Sequence, residues 1–165
     1  MERRNNERRE FTAGQEFPLM TAAGLIVKDR RRQPDRRLNN IEVTYLNMPG
    51  SPPDLPFSSA VRAGDTLYLS GNIGNLPGTL ELAEGGITGE TRQTMDNIAA
   101  VLQEFGSSMD DVVKCTVFLA DMAEWGAMNE VYRTYFTNAP ARSALGANGL
   151  ALDARVEIEC IAVLR

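Results

Sequence analysis

Apolar and polar positions fall into a regular order only from residue 41 onward. Residues 41–46 (IEVTYL), 57–62 (FSSAVR) and 66–70 (TLYLS) are short runs rich in β-branched, aromatic and small residues, and each is predicted as a strand. The Pro- and Gly-rich stretch 48–56 (MPGSPPDLP) connects the first two. Ala63–Gly64–Asp65 supplies the tight turn between the second and third, because Gly and Asp tolerate the backbone a turn needs. Residues 71–78 (GNIGNLPG) read as a loop. Over 88–105 the period changes: Met95, Ile98, Ala99 and Leu102 recur at helical spacing on one face, and Gly106 is placed to stop the helix. Residues 112–120 (VVKCTVFLA) form a nearly continuous apolar strand. Asp121, with Glu124 three residues later, resembles a capping box that opens a second helix reaching about residue 136. Trp125, Met128, Tyr132 and Tyr135 stripe that helix and are read as core packing. Residues 141–147 and 155–164 close the order β-β-β-α-β-α-β-β. The predicted fold is α+β, a mixed six-stranded sheet with two helices on one face.

A sheet covered on one side alternates apolar and polar residues along each strand. The strands at 112–120 and 155–164 do not. Val113, Cys115, Val117 and Leu119 are expected on one face, while Val112, Phe118 and Ala120 offer apolar groups to the other. The second face also wants cover, and further copies of the chain are the simplest source of it.

Charge divides the chain at the same place. Residues 1–40 carry ten basic and six acidic residues, and 41–165 carry seven and sixteen, giving local balances of +4 and -9. The first part is expected to be a charged extension of the domain at 41–165, with a basic cluster at 30–37 that could dock a partner. Glu2, Glu7, Glu10 and Glu16 precede its apolar stretch and charges follow it, which fits neither a secretory signal nor an acid-poor transit peptide, so a cytoplasmic location is expected. No apolar run approaches the ~18 residues of a membrane-spanning helix. The acidic body repels phosphates, so nucleic acid is not an expected partner.

The chain has no histidine, which removes Ser-His-Asp and Cys-His catalysis and the commonest metal ligand. Cys115 and Cys160 lie in apolar runs without a CxxC pair, so they are expected as buried strand thiols, and no metal is expected. The loop at 71–78 has neither the dinucleotide-binding nor the Walker glycine spacing. Arg142 stands out, because it opens a small, apolar strand and must find an anion. Its planar fork fits a carboxylate, either of the protein or of a substrate. Glu157 and Glu159 share one side of the last strand; they could form salt bridges, or one could activate water, and parity does not choose between them.

Five segments carry a resemblance, in order, over about residues 55–165. They are DTLYLSGN at 65–72, DVVKCTVFLAD at 111–121, NEVYRTYF at 129–136, PARS at 140–143 and RVEIECIAVLR at 155–165. Together they resemble the reactive-intermediate deaminase A family, RidA or YjgF. The resemblance implies a chorismate-mutase-like homotrimer whose sheets form a central barrel, with clefts between subunits. It implies cofactor-independent hydrolysis of 2-imino and enamine acids, such as 2-iminopropanoate and 2-iminobutanoate, to 2-keto acids and ammonia. An alternative within the family is a non-catalytic trimer that binds small carboxylates or regulates a partner. By resemblance, Arg142 grips the substrate carboxylate and Glu157 positions or activates water. The resemblance further implies that Phe57, Ser70, Gly71, Asn72, Ser143 and Ala144 line the cleft. Two departures stand out: Phe57 occupies a position that is frequently Tyr, and Ala144 one that is commonly Cys.

Overall fold

The two apolar segments around Cys115 and Cys160 pair with each other in the middle of the sheet. The computed structural model describes residues 41–164, together with the backbone of two short strands, β1 (Leu19–Thr21) and β2 (Gly24–Ile26). The chain divides into two units, Met1–Asn40 and Ile41–Arg165. In the first, β1 and β2 pair antiparallel, Leu19 opposite Ile26. The rest of the charged extension, including the basic cluster at 30–37, lies outside the described residues.

The second unit holds β3 (Val43–Leu46), β4 (Ala60–Ala63), β5 (Thr66–Leu69), β6 (Asn72–Ile73), α1 (Gly86–Glu104), β7 (Val112–Leu119), α2 (Trp125–Tyr132), β8 (Ala141–Gly146) and β9 (Val156–Val163). The strand order is β3-β4-β5-β9-β7-β8, and the two-residue β6 also pairs with β9. Only β7 and β8 run parallel, as they must when α2 carries the chain back between them. The predicted α+β class and mixed sheet hold. One predicted strand starts late: Phe57 precedes β4 in an exposed loop rather than belonging to it.

Both helices cover one face of the sheet. Met95, Ile98 and Leu102 of α1 and Met128 of α2 are fully buried against Leu67, Cys115, Val117, Ile158 and Ala162. Burying each large apolar side chain contributes about 1.5–3 kcal/mol before conformational entropy is subtracted. α1 ends as its sequence requires: Gly106 is left-handed (φ 77°), its N–H reaches the Gln103 carbonyl, and the Ser107 N–H reaches that of Leu102. Asp121 caps the turn before α2 by accepting from the Ala123 amide at 2.9 Å.

Two expectations are corrected. A bulge between Val112 and Lys114 shifts the start of β7 by one position. Val112 therefore joins Cys115 on the buried face, and Val113 is 44% exposed. The cysteines are buried but are not free thiols: Cys115 and Cys160 sit directly opposite each other, with Cα atoms 4.2 Å apart, and form a disulfide. That short separation is typical of antiparallel partners at a site lacking mutual hydrogen bonds, which spacing along the chain could not reveal.

The face away from the helices has no cover within the described residues. Val43, Tyr45, Tyr68, Leu145 and Val163 are exposed on it, and Phe118 and Ile161 half-exposed. The second-face apolarity expected from the strands is real, although Lys114, Thr116 and Glu159 interrupt it.

Candidate active site

Arg142 is the second residue of the edge strand β8, in register with Cys115 of β7. Cys115 points under the helices, so Arg142 does too, and it meets α2. Its Nη1 donates to Asn129 Oδ1 at 2.8 Å. Its guanidinium carbon lies 4.7 Å from the centre of the Tyr132 ring and 5.7 Å from that of Trp125. Both distances allow cation–π attraction, each contact contributing about 0.5–2 kcal/mol depending on solvation. Trp125, Asn129 and Tyr132 stand at i, i+4 and i+7, so one helix face presents all three.

No carboxylate among the described residues pairs with Arg142. Glu124 is taken by Arg155 (Nη1 to Oε1, 2.6 Å), Glu130 by Arg133 (3.0 Å), and Asp96 accepts the Tyr135 hydroxyl at 2.7 Å. Arg142 is thus a half-buried cation held by a neutral amide and two ring faces. The protein-carboxylate option for its partner is not realised within the described residues. Of the α2 stripe, Met128 and Tyr132 lie in the core and Tyr135 packs against it, as expected; Trp125 departs from that reading, being 40% exposed, and it flanks the guanidinium together with Tyr132.

Burial pushes the Tyr132 phenol up to about 12, with Arg142 opposing it. Its hydroxyl is buried without a hydrogen-bond partner. Tyr135 is also raised to about 12, by burial first and then by its hydrogen bond to Asp96. Neither phenol ionises near neutrality.

Glu157 lies on the opposite face. In β9 it alternates with the buried Val156 and Ile158, and it faces Phe118 of β7 and Ile73 of β6. A Cβ on Gly71 would overlap the Glu157 carboxylate, so a glycine is required for that carboxylate to sit where it does. The Ser70 hydroxyl donates to the Ser58 carbonyl at 2.7 Å, and the Ser70 amide to that of Ser59 at 3.1 Å. The Asn72 side chain donates to the Ser70 carbonyl at 2.8 Å. These bonds fix the chain around Gly71 and tie it to the loop carrying the exposed Phe57. The start of β9 is pinned from α1, where buried Glu90 accepts the Arg155 amide at 2.8 Å two residues before Glu157. Glu159 is exposed on the same face, opposite Thr116.

Ser143 accepts from Lys114 Nζ at 2.7 Å, also on the open face. Ala144 packs against the core beside Val117.

Most of the predicted residues therefore fall into two groups, while Ser143 faces the open side with Lys114 and Ala144 packs into the core. Ser70, Gly71, Asn72 and Glu157 come together, with Phe57 on the adjoining loop; Arg142 stands apart with Asn129, Trp125 and Tyr132. Within one chain Arg142 and Glu157 occupy opposite faces, three residues out of register, roughly 10 Å along the strands. Asn129, Trp125 and Tyr132 are functional candidates that the strand and helix patterns missed. Their common spacing on α2 was the available signal.

Residues 48–164 match the family model described as Endoribonuclease L-PSP. The mouse 2-iminobutanoate/2-iminopropanoate deaminase is 43% identical over 109 residues, 66% of this chain and 81% of the mouse protein. The RutC family protein PH0854 of Pyrococcus horikoshii is 44% identical over 108 residues, 65% of this chain and 86% of its own length. The crystal structure of the yeast protein YEO7 superposes with a TM-score of 0.70 at 35% identity, covering 75% of this chain and all of the yeast chain.

Proposed function

Because the chain belongs to the RidA/YjgF family, whose family model bears the description Endoribonuclease L-PSP, we propose that it hydrolyses 2-imino acids to 2-keto acids and ammonia. The observation that carries this reading is the state of Arg142. A half-buried guanidinium without a carboxylate partner among the described residues is a ready donor site for a small carboxylate from outside. Its remaining N–H donors can hold both oxygens of an α-carboxylate in one plane.

The chemistry then needs little else. In the protonated imine the carbon is already electrophilic. Water adds to it, a proton moves from the oxygen to the nitrogen, the C–N bond breaks, and ammonia leaves a keto acid. Glu157 holds the attacking water, takes its proton as the C–O bond forms and relays it to the nitrogen; as the C–N bond breaks, the remaining hydroxyl proton passes through Glu157 to the departing ammonia, which leaves as ammonium. Fixing the carboxylate fixes the imine carbon one bond away, so positioning supplies much of the acceleration. The mouse relative is named as a deaminase of 2-iminobutanoate and 2-iminopropanoate.

Arg142 and Glu157 lie on opposite faces of one chain, so a working cleft takes Arg142 from one copy and Glu157 from its neighbour. Three copies that pack their open faces into a barrel would cover Val43, Tyr45, Tyr68, Ile161 and Val163, and would form three such clefts. Phe57 offers no hydroxyl to the substrate, and Ala144 no thiol.

The test couples the protein to an amino-acid dehydratase that releases 2-iminopropanoate or 2-iminobutanoate, and measures keto acid against the spontaneous rate. Arg142→Ala is expected to lose on the order of 100-fold in rate with assembly intact. Arg142→Lys is expected to rescue poorly, because an ammonium lacks the planar fork. Full activity in Arg142→Ala would remove the clamp from the mechanism. Carboxylate binding by the wild type without acceleration would favour a binding protein instead.

A further inference from the structure

We propose that Asn129 is a positioning residue whose neutrality keeps Arg142 available to substrate; the proposal rests on the reading of Arg142 as a carboxylate clamp. The guanidinium has donors only, so the amide of Asn129 must present its oxygen, as it does at 2.8 Å. An aspartate in the same place would accept the same hydrogen bond from the same atom position. It would also cancel the positive charge and occupy the guanidinium as a strong internal partner. Asn129 orients one edge of the fork and leaves the charge intact. The aromatic faces of Tyr132 and Trp125 add to this, since they attract the cation without neutralising it.

The surroundings fit the same purpose. The acidic groups on and around α2 are engaged elsewhere: Glu124 with Arg155, Glu130 with Arg133, and Asp96 with Tyr135. Among the described residues, the titratable group shown against Arg142 is the Tyr132 phenol, whose pKa is raised to about 12 and which stays neutral. α2 therefore offers Arg142 a polar, aromatic and uncharged seat, built from positions i, i+4 and i+7 of one helix.

A residue that merely anchors the arginine and one that anchors it without discharging it make opposite rankings of two variants. If anchoring alone matters, Asn129→Asp should outperform Asn129→Ala, because it keeps the hydrogen bond. If neutrality matters, Asn129→Asp should be the worse of the two. The probe is pyruvate, titrated calorimetrically into the assembled wild type, Arg142→Ala, Asn129→Ala and Asn129→Asp, with circular dichroism and mass measured for each. Expected is a loss of a few-fold in affinity for Asn129→Ala and of at least about tenfold for Asn129→Asp. In the coupled assay, the Asn129→Asp change is expected mainly in KM rather than kcat, because Glu157 and its water are untouched. Affinity in Asn129→Asp equal to or above that of Asn129→Ala overturns the proposal. Unchanged pyruvate affinity in Arg142→Ala overturns the clamp itself, a result distinct from failure of the Asn129 ranking alone.

Discussion

Gly71 and Glu157 compete for one small volume, and only the absence of a side chain on the first lets the second keep its place. Gly71→Ala is therefore expected to displace the carboxylate and lower kcat by about tenfold or more while circular dichroism stays unchanged. Wild-type kcat in that variant would separate Glu157 from the chemistry. The phenols of Tyr132 and Tyr135 give a second residue-scale test. Both are raised to about 12, against about 10 in an unfolded chain. Between those values the unfolded chain has lost protons that the native one retains, so stability falls as pH rises through that window and is fully present below it. Absorbance at the phenolate band should show these two tyrosines ionising late, with the denaturation midpoint dropping over the same range. At this scale Arg142 was legible, because a cation in a small apolar strand needs an anion. Its seat on α2 was not, because an Asn between aromatics at helical spacing looks like any half-buried helix face. Parity alone could not separate Glu157 from Glu159; the family resemblance chose Glu157, and Gly71 lies against its carboxylate.

The two helices and the six longer strands of the second unit followed from periodicity, because α1, β5, β7 and β9 each turn buried residues toward one helix-covered sheet face; the two-residue β6 lies in the stretch read as a loop. What periodicity hid was local. The bulge between Val112 and Lys114 reversed the parity at the head of β7, and a one-residue insertion leaves no mark in a run that is apolar on both sides. The disulfide needed the register of β7 against β9, which no spacing along the chain encodes. Its bond closes a separation of 45 residues, and its removal by Cys115→Ala with Cys160→Ala is expected to cost about 2–4 kcal/mol in urea denaturation. Thiol alkylation of the denatured wild type should find these cysteines protected until reductant is added. For α1, Ile98→Ala is expected to cost about 2–5 kcal/mol, since Ile98 is wholly buried against the sheet. Both costs are read from the same denaturation curves, and values near zero would contradict the packing described.

One sheet face is roofed by two helices, and the other carries Tyr45, Tyr68, Ile161 and Val163 toward whatever covers it. That apolar second face was legible in the strands, although the identity of the cover was implied only by family resemblance. In the proposed assembly the two half-sites meet between copies, because neither face of one chain holds both Arg142 and Glu157. The most direct test mixes two inactive variants, Arg142→Ala and Glu157→Gln, unfolds them together and refolds them as one population. In a ring with one Arg142 and one Glu157 from different copies at each cleft, random assembly restores an intact pair in about a quarter of clefts. Imine hydrolysis is predicted to return to about that fraction of a wild-type sample treated identically, while each variant refolded alone stays inactive. A mixture as inactive as its components, beside a fully recovered wild-type control, would contradict a cleft shared between copies.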